Sequence, residues 1–388
     1  MNFHPRPIFP RGFSCASRNC GLKPVAKDLS IFFSERPAAA AAVFTRNRFP
    51  GAPIIVGREV VRNGSLQAIV VNSKVSNVGT GEEGIVNAGR MGIAASVELG
   101  IRSDDVLVSS TGVIGKPLPI ALIETGLQGM KNDLVGDPMV GAEGIMTTDT
   151  YPKAISTSVG AATITWVAKG AGMIEPNMAT MLAYIFTDAE IGAASLDRML
   201  RIAVDESFNM LSVDTDTSTS DTCVILANGM AGPVAEEEFL AALRGGCIRM
   251  AEMMARDGEG ATKLLRARVE GAADGMQARI VAKSIINSPL IKTMAFGADP
   301  NVGRVLMAVG KCFEVDQDPQ RTRVWISDVQ VFGQGSRRDY DEVGLRKILA
   351  GDPIEIRVDL GMGDGEAVAF GCDLTHGYID ENAAYYSS

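Results

Sequence analysis

The sequence predicts a mixed α/β protein large enough for two lobes. Short β-branched runs alternate with stretches of helical period along the whole chain, the pattern of layered sheets and helices rather than of an all-α or all-β fold. At 388 residues the chain passes the size at which a single core usually stops growing. Its hydrophobic fraction of 46%, against 21% charged residues, is ample to fill such cores.

Strands are predicted, in order, over residues 29–33, 68–72, 105–109, 163–168, 181–187, 224–227, 324–331 and 354–360, each a short apolar or β-branched run. The five consecutive alanines at 38–42 read as a small-residue packing surface. Helices are predicted over 82–99, 196–210, 236–254, 276–286 and 342–349. After Ser195, residues Leu196, Met199, Leu200, Ala203 and Val204 form an i, i+3, i+4, i+7, i+8 stripe that packs one helix face on a sheet. Composition shifts little along the chain; RVEGAADG at 268–275 is the best candidate for a change of lobe, so a smaller C-terminal lobe is expected from about 270.

Charge and cysteine usage narrow the function classes. The net charge of −9 with no Lys/Arg block disfavours an extended nucleic-acid or anionic-membrane surface. Cys15, Cys20, Cys223, Cys247, Cys312 and Cys372 form no CxxC pair and, with only His4 and His376 beside them, give no metal-binding pattern; reduced, mostly buried thiols are expected. The opening MNFHPRPIFPRGF has no apolar run of secretory-signal length, and no segment approaches the roughly 20 apolar residues of a membrane span. The cytoplasm is the expected location.

Three motifs invite a chemical reading. GTGEEG at 79–84 has the glycine spacing of a dinucleotide turn, but Glu82 and Glu83 would face a pyrophosphate with negative charge; a helix start with Thr80 and Glu83 as a capping box fits better. DTDTSTSD at 214–221 begins like a calcium loop, then places Thr219 and Ile225 where glycine and glutamate are required, so a hydroxyl-rich turn bonding its own backbone and neighbouring loops is expected. SSTGVIG at 109–115 follows a strand and offers the Thr111 hydroxyl and the open Gly112 N–H, the donors an oxyanion hole needs.

The fourth motif, KGAGMIEPNMATML at 169–182, places Thr180 after turn-forming Gly170, Gly172 and Pro176. Cleavage between Ala179 and Thr180, by an N-to-O acyl shift and hydrolysis, would make Thr180 a nucleophile that carries its own base. A free α-amine titrates near pH 8 and can take the hydroxyl proton. With two histidines in the chain, a Ser/His/Asp triad has few candidates for its central member.

These residues resemble the ornithine acetyltransferase family of arginine biosynthesis. Besides KGAGMIEPNMATML, the matching strings are STGVIG at 110–115, TTDTYPK at 147–153, DTDTSTSDT at 214–222, DGEGATKL at 257–264, INSPLIKT at 286–293, GADPN at 297–301 and GCDLT at 371–375. The resemblance implies a layered αββα sandwich of the N-terminal-nucleophile kind, cut into an α fragment, 1–179, and a β fragment, 180–388, with two copies of each assembling. It implies acetyl transfer from N-acetylornithine to glutamate by a ping-pong mechanism through acetyl-Thr180, without a cofactor; acetyl-CoA is a second donor in some members.

Carried over, Thr180 resembles the nucleophile and Thr111 with Gly112 the oxyanion pair. Thr147, Lys169, Glu259, Asn382 and Ser387 match substrate contacts, Lys169 toward a carboxylate and Glu259 toward an amino group. Ser387 stands where the family usually has threonine. The family's NSGNANACTG-like loop is NSKVSNVGTG at 72–81, with Lys74 and Val75 replacing glycine and asparagine, and Val302 replaces the tryptophan usual after DPN. These departures bear on substrate, and Glu175 and the GKC at 310–312 resemble relatives serving secondary metabolism, so an acyltransferase or N-acyl amidohydrolase for a different N-acyl amino acid is the alternative.

Overall fold

The computed structural model describes residues 2–175 and 181–383. They form two units, each with its own sheet. The first takes in the described residues up to 170, those from 181 to 209, and 217–250; the second takes in 171–175, 210–216 and the residues from 251. The first unit holds strands β1 (Phe13–Arg18), β2 (Leu29–Phe44), β3 (Ser65–Asn72), β4 (Val106–Ser110), β5 (Lys153–Val159), β6 (Ala162–Lys169), β7 (Leu182–Glu190) and β8 (Thr222–Pro233). Their order is β4-β3-β2-β8-β7-β6-β5, with β1 also on β2; β3 with β4 and β7 with β8 are the parallel pairs.

Both faces of this sheet are covered. Helices α1 (Ala52–Val60), α2 (Gly81–Leu99) and α3 (Ile120–Leu127) share a core with Ile31, Val70 and Val108. Helix α4 (Pro138–Ile145) lies on the other face with Phe32, Tyr184 and Phe186, whose rings pack 5.3 Å apart between Phe32 and each of the others. Helix α5 (Ala193–Asp205) buries the predicted stripe, Leu196 to Val204, and packs on β2. Helix α6 (Glu236–Arg256) brings Gly246 against the Trp166 ring, where even a methyl group would sit 2.1 Å from it.

The second unit orders its sheet β12-β11-β10-β13-β9-β14, from β9 (Leu264–Ala272), β10 (Arg323–Ile326), β11 (Val329–Gly333), β12 (Ser336–Arg337), β13 (Ile354–Asp359) and β14 (Gly365–Cys372). Helices α7 (Gly275–Ile286), α8 (Pro289–Phe296), α9 (Gly303–Gly310), α10 (Glu342–Leu349) and α11 (His376–Asn382) complete it. Helix α7 presents Ala278, Val281, Ala282 and Ile285 to a core with Leu265, Val269 and Ile356. On β13, Ile354, Ile356 and Val358 are buried while the residues between them are half-buried, the period-2 signature of a sheet covered on one face.

The mixed α/β class with two sheets is therefore as predicted, and four local readings change. The alanines at 38–42 belong to β2, where Ala39 to Ala42 pair with β8; the register shift between Phe33 and Ala38 falls at Pro37, which has no N–H to give a ladder. The single strand predicted over 324–331 is a hairpin, β10 and β11, because Ser327 takes φ 50° without the glycine that usually announces such a turn. Thr80 does not cap α2: its hydroxyl donates to Asn77 Oδ1 at 2.8 Å, while Glu82 and Glu83 do occupy the first turn. Residues 268–275, the expected change of lobe, run through β9 into α7, inside the second unit. The free cysteines are buried except for half-buried Cys20. Among the described residues no helix is long and apolar enough to cross a membrane.

Candidate active site

In the first unit, strand ends gather the predicted residues. Strand β6 ends at Lys169, paired with Leu182 at the start of β7. Its ammonium donates to the hydroxyls of Thr147 at 2.9 Å and Thr111 at 3.1 Å. Lys169 and Thr111 are both buried, 8% and 9% exposed, so a desolvated cation sits directly against the proposed oxyanion residue.

Thr111 and Gly112 leave the end of β4 beneath the loop that leaves β3. The Thr111 N–H donates to the Asn72 carbonyl and the Val113 N–H to the Lys74 carbonyl, both at 3.0 Å, and the Ser110 hydroxyl reaches Asn72 Oδ1 at 2.6 Å. Gly112 lies at φ +127°, and a Cβ there would meet the Lys74 carbonyl carbon at 2.2 Å. Only glycine fits. Among the described residues the Gly112 N–H has no backbone acceptor. The same loop explains one departure from the family pattern: Lys74 sits at φ 86°, a conformation glycine takes at no steric cost, so the lysine adds charge here at the expense of about 1 kcal/mol or more of backbone strain.

Asp149 ties the cluster together. Its Oδ2 accepts from the Thr147 N–H at 3.0 Å; Oδ1 accepts from the Gly170 N–H and the Lys153 ammonium, each at 2.7 Å. The Asp149 and Lys153 side chains are wholly buried. Burial alone would raise this carboxyl, but Lys153 and Lys169, with the donated hydrogen bonds, outweigh it and hold it below the usual carboxylate range. A second cation, Lys23, donates to the Met146 carbonyl at 2.8 Å. Burial brings its ammonium down to about 8; Asp28 and Asp149 oppose the shift while Lys169 and Lys74 add to it. The region is cationic and suited to carboxylate ligands.

The second unit orders its own pair. Glu259 Oε2 accepts from Asn382 Nδ2 at 2.7 Å, and Asn382 also donates to the Tyr378 carbonyl at 3.0 Å. Glycines make this geometry: a Cβ on Gly172 would lie 2.2 Å from the Glu259 carboxylate, and one on Gly260, at φ +65°, would lie 2.3 Å from the Tyr378 nitrogen. Asp214 accepts from the Met173 and Ile174 N–H groups at 2.6 and 2.8 Å, and the Thr45 hydroxyl donates to the Ser218 carbonyl at 2.7 Å, as expected of a hydroxyl-rich turn that bonds neighbouring loops.

Thr111, Gly112, Thr147 and Lys169 thus come together in one unit, and Glu259 with Asn382 in the other. Ala179, Thr180 and Ser387 lie outside the described residues. Asp149, Lys153 and Lys23 were not legible as site residues. The signal available was an acid and a lysine four residues apart in TTDTYPK, a spacing more often found on an exposed helix face. Among the described residues no group of three or more His, Cys, Asp or Glu side chains could hold a metal ion.

The model of the ArgJ family matches residues 14–387. Arginine biosynthesis bifunctional protein ArgJ 2 of Clostridium acetobutylicum is 46% identical over 381 residues, 97% of this chain and 98% of that protein. Glutamate N-acetyltransferase Oat2 of Streptomyces clavuligerus is 42% identical over 386 residues, 98% of each. Among solved structures, the arginine biosynthesis bifunctional protein argJ of Bacillus halodurans aligns at 37% identity with a TM-score of 0.51, over 52% of this chain and 98% of that chain. With a family model and relatives that match over nearly its whole length, the chain belongs to the ArgJ family.

Proposed function

We propose that this protein is a self-processing acyltransferase that cuts itself between Ala179 and Thr180 and moves an acetyl group from N-acetylornithine to glutamate. Its α fragment is 1–179 and its β fragment 180–388. The Thr180 oxygen attacks the acetyl carbonyl while its freed amine takes the proton; Thr111 and Gly112 stabilise the tetrahedral oxyanion. Ornithine leaves, and the glutamate amine takes the acetyl group from Thr180. Lys169 and Thr147 hold substrate carboxylate, and Lys169 also disfavours protonation of the Thr180 amine by like-charge repulsion. Glu259, Asn382 and Ser387 carry over from the family resemblance as further substrate contacts, Glu259 toward an amino group.

The observation that carries the proposal is the Gly112 backbone, which admits only glycine, next to the buried Thr111–Lys169–Thr147 cluster. One finding supports it: the relative from Streptomyces clavuligerus is a glutamate N-acetyltransferase by name.

The test is the intact mass of the denatured protein beside a Thr180→Ala variant. Fragments of 179 and 209 residues in the wild type and one 388-residue chain in the variant are expected. An uncut wild type that turns over would sink the mechanism. With N-acetylornithine as donor, parallel double-reciprocal lines are expected for glutamate. Acetyl release to water at the same rate with and without glutamate would identify a hydrolase instead.

A further inference from the structure

Glu259 is built into a closed ring of contacts within the second unit, and Asp214 closes that ring. On one side runs the turn at 171–174. The Glu259 N–H donates to the Ala171 carbonyl at 2.9 Å, and Gly172 packs so closely that a Cβ there would lie 2.2 Å from the carboxylate. Met173, the next residue, stands at φ 53°, a left-handed conformation that residues other than glycine hold only where their surroundings impose it. Asp214 imposes it. Its Oδ2 accepts from the Met173 N–H at 2.6 Å and its Oδ1 from the Ile174 N–H at 2.8 Å, while the Val213 N–H donates to the Ile174 carbonyl at 2.8 Å.

On the other side stands helix α11. Asn382, which donates to both Glu259 Oε2 and the Tyr378 carbonyl, is one turn beyond Tyr378, and the Tyr378 hydroxyl donates to Asp214 Oδ2 at 3.3 Å. One carboxylate therefore holds both the turn against Glu259 and the helix that carries its Asn382 partner. Only a carboxylate can do this at Asp214. Asparagine offers a single acceptor oxygen, so either the Met173 or the Ile174 N–H would lose its bond.

We propose that Asp214 is a positioning residue for the amino-group contact: through the 171–174 turn and α11 it fixes the Glu259 carboxylate where the substrate ammonium is received. This rests on the role given to Glu259 above. Asp214 acts through Glu259 and not on the substrate itself. A carboxylate already fixed in place loses little freedom when the cation arrives, and affinity for the amino group depends on that order. Tyr378 belongs to the same device, because its hydroxyl joins α11 to Asp214.

The experiment is calorimetry of ornithine binding to wild type, Asp214→Asn, Tyr378→Phe, Glu259→Gln and each of the first two variants combined with Glu259→Gln. Melting temperature and fragment masses control for folding and processing. Asp214→Asn is expected to weaken ornithine binding at least about 10-fold, and Tyr378→Phe, which removes only the tie to α11, about 3-fold. In the Glu259→Gln background each is expected to change affinity by less than about 2-fold, because the group it positions no longer carries charge. A residue that merely supports the fold would weaken binding equally in both backgrounds, and that result would overturn the proposal. Wild-type affinity in either folded variant would overturn it too. If Asp214→Asn does not fold, Tyr378→Phe decides alone. A Glu259→Gln variant that binds ornithine like wild type would strike the role of Glu259 and this one with it, a failure seen before Asp214 is touched.

Discussion

Replacing Asp149 by asparagine removes one negative charge from a side chain that is wholly buried beside an equally buried Lys153. The Lys153 ammonium, 2.7 Å from Oδ1, is then left as a desolvated cation, and losing one partner of such a pair costs about 3–5 kcal/mol. Either oxygen of the carboxylate accepts a backbone N–H, from Thr147 or Gly170; the amide nitrogen of asparagine cannot, so one of these donors also loses its partner. We expect a loss of about 4 kcal/mol for Asp149→Asn and less than half of that for Asp149→Asn with Lys153→Met, which removes both charges. The assay is a double-mutant cycle in urea on the Thr180→Ala background, where cleavage does not enter. With Trp325→Phe, the buried Trp166 is the only tryptophan left and reports the first unit. The pair should also show in pH. Because the folded carboxyl is held below its unfolded value of about 3.9, its contribution is fully present above that pH and is lost as pH falls through the folded value. The gap between wild type and Asp149→Asn should stay constant from pH 5 to 8 and narrow below about pH 4. A single variant within 1 kcal/mol of wild type, or a double variant as unstable as the single one, would refute the reasoning.

Two further substitutions test the site. Gly112→Ala puts a methyl group 2.2 Å from the Lys74 carbonyl carbon at φ +127°, so the loop must shift; kcat of the cut enzyme should fall by about 10²–10³ with substrate affinity by calorimetry changed far less. An active variant with wild-type kcat would remove Gly112 from the oxyanion role. Lys169→Met keeps the stem and removes the cation that binds the Thr111 and Thr147 hydroxyls; KM for the carboxylate substrate should rise by about 10- to 100-fold. An unchanged KM would place the substrate carboxylate elsewhere, with Lys23 the next candidate.

The sequence carried the long, regular elements well, because their signal is local. The stripe of α5 and the β-branched runs of β3, β6 and β7 each state their period within a dozen residues. It failed where a neighbour decides the conformation. Alanines 38–42 have no strand signature of their own and are strand because β3 and β8 flank them. The Thr80 hydroxyl turns to Asn77 although its motif fits a capping box. The Ser327 turn carries no glycine, so nothing in the sequence marked it.

By itself the sequence determined the chemistry on offer: a threonine behind turn-forming residues, an STG turn after a strand, a lysine at a strand end, and almost no histidine to compete with them. Motif strings in order were enough to indicate the family, since side-chain chemistry is written residue by residue. Only the tertiary structure decided which groups share a desolvated space. It brought Lys169 to Thr111 across 58 positions of chain, closed the Lys74 loop onto Gly112, and buried Asp149 against Lys153. Burial and charge proximity set protonation, and both arise from contacts between distant segments, which spacing along the chain does not encode.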